Sequence, residues 1–189
     1  MDVTTLLLLL LVGSISTLLS GDKLASKIAL FFSVVAFGFS LYLLNLYSNG
    51  TDISFIGSWM ENPKVALAFQ ADGLAMAMVI LTTSLTPLIL FSSFGNQFKS
   101  AKNFYALVLF MAFAMTGTFL AADGLLYYVF WELSLIPIYF IALIWGNGDA
   151  EERKKAVIKF LLVFQTLYVV CLDSLNQLNL FCLYYLNQQ

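Results

Sequence analysis

The chain has 189 residues, of which 61% are hydrophobic and only 11% charged, and its net charge is -2. Its mean hydropathy of +0.89 excludes a domain whose only solvent is water, because nine basic and eleven acidic side chains are too few to clothe a soluble core of this size. With no histidine and only Cys171 and Cys182, eleven apart, there is no zinc, haem or disulfide framework. The basic residues form no aromatic-interleaved patch for phosphates, so no cofactor and no nucleic-acid partner is expected.

Residues Thr4 to Leu19 form the first apolar run. A secretory signal is weighed and set aside, since Asp2 is the only charge before it and no small-x-small cleavage site follows. Ile28 to Tyr47 makes a full-length span. The segment Ser48 to Asp72 carries Gly50, Asp52, Gly57, Trp59, Glu61, Pro63 and Lys64, turn formers and an interfacial aromatic, and reads as the longest loop. Apolar runs follow at Leu74 to Phe94, Phe104 to Ala122, Leu125 to Trp145 and Ala156 to about Leu172. Each is about long enough to cross roughly 30 Å of hydrocarbon at 1.5 Å per residue. The expected fold is an all-α polytopic transmembrane helix bundle of about six spans.

Lys and Arg collect in cytoplasmic loops, and here they alternate. Lys23 and Lys27 fall in the first loop, Lys99 and Lys102 in the third, and Arg153, Lys154, Lys155 and Lys159 in or beside the fifth. Lys64 stands alone on the other face, so the pattern predicts an external N-terminus. A composition break follows: every glycine lies at or before Gly148 and the last alanine is Ala156. Small residues let membrane helices approach closely, so residues after about Phe160 look less like a packed bundle helix.

Most acidic residues sit at termini, in loops or at span ends, where water solvates them. Asp173 lies in the divergent tail, and Glu132 lies seven residues into the fifth span, roughly 10 Å along the helix. A carboxylate there costs on the order of 3 kcal/mol by insertion scales, so such acids turn toward a bundle interior and mark proton or ion pathways. Trp131, Leu133, Leu135 and Ile136 offer it no positive partner. Desolvation favours the protonated form of an acid and a nearby cation favours the ionised form, so a movable acid and cation make a proton-transfer element. Pro137 frees the Leu133 carbonyl beside the acid. A Glu that only ties helices together by hydrogen bonds is the plainer alternative.

Tyr128 and Tyr139, at i-4 and i+7, share the Glu132 face, where packing is the expected role of such aromatics. Lys159, three residues inside the sixth run, is a candidate cation, though the neighbouring basic cluster favours a side chain that snorkels to the interface. Asp72 before Gly73 and Asp123 before Gly124 read as interfacial end groups.

The segment FLAADGLLYYVFWELSLIPIYFIALIWG, residues 119 to 146, resembles the chain M class of antiporter-like subunits of respiratory complex I, with FWELSLIPIYF, residues 130 to 140, as its core. FQADGLAMAMVILTTSL, residues 69 to 85, is similar to that family's Asp-Gly opening of the third helix, and AVIKF, residues 156 to 160, to its approach to the sixth. The resemblance implies that Glu132 is the glutamate of a proton half-channel. It implies a proton-translocating membrane-arm subunit that couples quinone reduction to proton transport in a bacterial inner membrane. Partners would be the lipid bilayer and the other membrane-arm subunits.

Family members are much longer, with an inverted repeat and later lysines, one of which pairs with the glutamate. The resemblance covers residues 1 to 160, expected to be N-terminal transmembrane helices of the antiporter-like fold. Residues 161 to 189 form a divergent tail, expected from a shifted frame or a disrupted gene. A subunit of a multisubunit cation/proton antiporter and a nonfunctional truncated membrane protein stay open as rivals.

Overall fold

The computed structural model describes residues 3–51, 53–60, 65–94, 100–146, 149, 151–160 and 162. Five long helices form in the order α1 Val3–Leu19, α2 Asp22–Ser48, α3 Gly73–Ser92, α4 Ala101–Leu120 and α5 Gly124–Trp145. Helices α2 to α5 are long and apolar enough to cross a membrane, whereas the 17 residues of α1 reach only about 25 Å. This is a multi-pass helical membrane protein. The predicted boundaries of α3, α4 and α5 hold to within about one turn. Helix α2 begins six residues before the apolar run at Ile28, because Asp22 favours a helix N-terminus and its first turns need not lie in hydrocarbon.

Residues 1–141 and 142–189 form two compact units. In the first, α4 is the hub, in contact with α1, α2 and α3, and it buries Leu109 and Leu120 almost completely. Helix α2 lays a stripe of mostly small residues into this core. Ala25, Ala29, Ser33, Ala36, Ser40 and Leu43 are buried, while Phe31, Val34 and Leu41 on its other side are exposed. A water-soluble helix would place the bulky residues inward; lipid rewards the reverse, since small residues bring backbones together.

Buried hydroxyls tie the helices across the core. Ser14 Oγ of α1 donates to the Ala106 carbonyl of α4 at 2.9 Å, and the Ser40 and Thr83 hydroxyls of α2 and α3 meet at 2.9 Å. Where no water reaches, such bonds keep polar groups satisfied. At one end, the Asp22 carboxylate of α2 accepts from the Lys102 backbone N–H at the start of α4, at 3.2 Å. It takes up a donor that the N-cap residue leaves open, because Ser100 is in the left-handed region (φ 57°) and makes no side-chain cap.

The segment read as the longest loop contains a hairpin. Strands β1, Phe55–Met60, and β2, Val65–Phe69, pair antiparallel with Phe55 opposite Phe69 and a bulge between Ser58 and Met60. Its period-two face carries Phe55, Leu67 and Phe69, with Phe69 buried and Ile56 on the opposite face exposed. The short connection between α4 and α5 joins this sheet: Gln70 N–H donates to Leu120 O at 2.8 Å and Ala122 N–H to Ala68 O at 2.9 Å. Turn-forming residues dominate the segment's composition and hide these two short strands.

In the second unit, residues 151–160 are helical. Arg153 Nη1 donates to the Ile144 and Gly146 carbonyls at 3.3 and 2.8 Å, capping the C-terminal end of α5. Beyond this segment only Leu162 is described, so most of the predicted sixth span, and the divergent tail with Asp173, Cys171 and Cys182, lie outside the described residues.

Candidate functional site

Helix α5 opens on Asp123, whose Oδ1 accepts from the Leu125 N–H at 2.8 Å and more weakly from the Leu126 N–H at 3.4 Å. The matching Asp-Gly pair opens α3, where Asp72 Oδ1 accepts from the Ala75 N–H at 2.6 Å. Each aspartate satisfies a first-turn donor that has no partner inside its helix, and its charge suits the helix N-terminus. Both are therefore caps, and the expected effect of Asp123→Ala is a stability loss of about 1 kcal/mol. Thermal unfolding in detergent checks this, and an unchanged midpoint would show that the cap is not what Asp123 contributes.

Along α5, Leu126 and Pro137 are buried. Phe130 rests edge-on against Phe69 of β2 and Phe113 of α4, at ring separations of 5.7 and 5.5 Å. Ile141 also packs against the buried core. At 100° per residue, positions 126, 130, 137 and 141 make one stripe, the face by which α5 joins the helices before it.

Glu132 is two residues past Phe130, about 200° around the helix. It is partly exposed and shares its face with Leu125, Val129 and Ile136, at i-7, i-3 and i+4, all of which are exposed. The expected turn of this acid toward the bundle interior is thus not met by packing against α1 to α4. Packing of Phe130 sends Glu132 the other way. Among the described residues the carboxylate has no hydrogen-bond or ion-pair partner.

Tyr128 and Tyr139 lie on the same side, both partly exposed, and Tyr139 contacts Phe140 edge-on at 5.3 Å. Pro137 sits inside the continuous helix. Having no N–H, it leaves the Leu133 carbonyl without its usual intrahelical donor one residue from the acid. The other candidate, Lys159, is an exposed side chain in the helical segment 151–160. An acid and two phenols on one side of a mostly apolar helix, with a freed carbonyl to accept a hydrogen bond, can hold and pass a proton once the face is covered and hydrated.

Sequence reading missed Gly117, the only glycine of α4. Nothing local marks it, because its importance comes from a ring thirteen positions away in sequence. A Cβ on Gly117 would clash with the Cδ1–Cε1 edge of the Phe130 ring.

No protein-family profile matches the chain. It is 31% identical to F(420)H(2) dehydrogenase subunit M of Methanosarcina mazei over an alignment covering 100% of this chain and 38% of that protein. It is 37% identical to NAD(P)H-quinone oxidoreductase chain 4 of Synechococcus sp. over 61% of this chain and 22% of the relative. With NAD(P)H-quinone oxidoreductase chain 4-2 of Synechocystis sp. the identity is 30%, over 84% of this chain and 29% of the relative. The chain therefore spans about two fifths of the first of these relatives and less than a third of the other two.

Proposed function

We propose that this chain, a homologue of F(420)H(2) dehydrogenase subunit M and NAD(P)H-quinone oxidoreductase chain 4 proteins, is a proton-translocating membrane-arm subunit of a quinone oxidoreductase, with Glu132 as its proton-transfer carboxylate. The observation that carries the reading is a carboxylate near mid-depth of an apolar 22-residue helix, on a face that none of α1 to α4 covers. Facing lipid alone, such a group costs on the order of 3 kcal/mol. A polypeptide or hydrated path that covers it lowers that cost and gives the proton somewhere to go.

This chain's contribution is to hold an acid in the membrane, to shield it with apolar neighbours and to present it to a cation or water on the covering element. Lys159 is a weaker candidate for that cation, being exposed at the head of the predicted sixth span in a cluster suited to the interface. The basic-residue pattern supports an external N-terminus, and the likeness to quinone oxidoreductase chain 4 proteins supports a bacterial inner membrane and other membrane-arm subunits as partners.

Deleting the gene from its host and assaying everted membrane vesicles tests the proposal. Quinone-linked proton uptake is expected to fall on deletion and to return when the gene is restored. Sodium or potassium exchange that needs no electron donor, lost on deletion while quinone-linked uptake is unchanged, would replace this reading with a cation/proton antiporter subunit.

A further inference from the structure

We infer that Gly117 and Phe130 are positioning residues that set which way Glu132 faces, an inference that rests on the reading of Glu132 as a proton carrier. The Phe130 ring is held from three sides. Phe69 of the hairpin and Phe113 of α4 meet it edge-on at 5.7 and 5.5 Å, and Gly117 lies beneath it, with no room for a Cβ between helix and ring. The recess is built from two separate elements that are themselves tied together, since β2 and the end of α4 share the Gln70 to Leu120 and Ala122 to Ala68 backbone bonds.

A helix lying on an apolar neighbour slides and rotates easily unless a bulky side chain enters a matching gap, as ridges enter grooves. The ring supplies that element. Because one helical position is worth 100°, seating Phe130 against α4 fixes Glu132 about 200° away, and a one-position rotation would carry the acid a quarter-turn or more toward a different neighbour. Leu126 and Pro137 are buried on the same stripe but are aliphatic and bring no ring to it. The facing of the acid is therefore decided by a contact two residues before it.

The test uses the full chain in its host's membranes, with Cys171→Ser and Cys182→Ser, and with Glu132→Cys as a reporter alkylated by a small maleimide. Gly117→Ala crowds the ring, and overpacking of this kind shifts a local equilibrium by about tenfold; the alkylation rate is expected to change by a similar factor. Adding Phe130→Leu to Gly117→Ala, which makes room for the new methyl, is expected to return the rate to its starting value. In the chain that keeps Glu132, the same pair of changes should lower and then restore quinone-linked proton transport. If Gly117→Ala does not accumulate, Phe130→Ala removes the ring without crowding and is expected to change the rate as well.

An alkylation rate unmoved by Gly117→Ala or Phe130→Ala, or moved but not restored by Phe130→Leu, overturns the inference. Alkylation reads the facing of α5 whether or not Glu132 carries protons. A Glu132→Gln chain that transports protons normally overturns the carrier reading instead.

Discussion

Glu132→Gln is expected to reduce quinone-linked proton transport by roughly a hundredfold, in line with the loss of a positioned acid–base group, while the amount of protein in the membrane stays the same or rises. Gln keeps the size and hydrogen-bonding ability of Glu but cannot take up and release a proton. The structure sets the sign of the second effect. The carboxylate makes no hydrogen bond or ion pair among the described residues, so removing its charge breaks no bond there and lowers the cost of placing the side chain in the membrane. The rival view, a Glu that merely ties helices, predicts the reverse pattern: Gln would preserve the tie and transport would continue. Proton uptake by vesicles, normalised to immunoblotted protein, separates the two. Unchanged transport with normal assembly would remove Glu132 from the pathway.

Gly13→Val is expected to produce the largest loss of stability. Gly13 is buried in α1, and a Cβ there would lie 2.8 Å from both Cβ and Cγ of Phe32 on α2. Those atoms are the stem of the side chain, close to the backbone, so they cannot swing aside as a ring edge can. Helix α1 must move instead. Its neighbour Ser14 holds the Ala106 carbonyl of α4, so displacement also strains the bond that ties α1 to the hub helix. Overpacking costs about 1–3 kcal/mol and a broken buried hydrogen bond about 1 kcal/mol more. Gly13→Ala should be milder, because helix propensity returns about 1 kcal/mol. Denaturation with sodium dodecyl sulfate in mild detergent gives the midpoint for each variant. Equal midpoints for Val and the parent chain would show that α1 is not seated on Phe32.

Much of the architecture could be read without coordinates because lipid imposes a simple rule. A backbone crossing hydrocarbon must satisfy its own donors and acceptors, so each long apolar run becomes a helix, and α3, α4 and α5 appear within a few residues of their expected bounds. The Asp72-Gly73 and Asp123-Gly124 pairs announce helix starts for an equally local reason, since the cap and the donor it satisfies are two or three residues apart. The hairpin escaped notice. Its stability depends on Phe69 being buried and on backbone bonds from residues 68 and 70 to residues 120 and 122, about fifty positions later.

Glu132 shows the same division within one residue. Its depth along α5, its apolar neighbours and its lack of a local cation are properties of the sequence alone, because they depend only on helical rise and residue order. Its direction is not. Rotation about the helix axis is set by whichever side chain finds a recess, and that recess is assembled from Phe69, Phe113 and Gly117, residues distant in sequence that only the folded chain brings to Phe130.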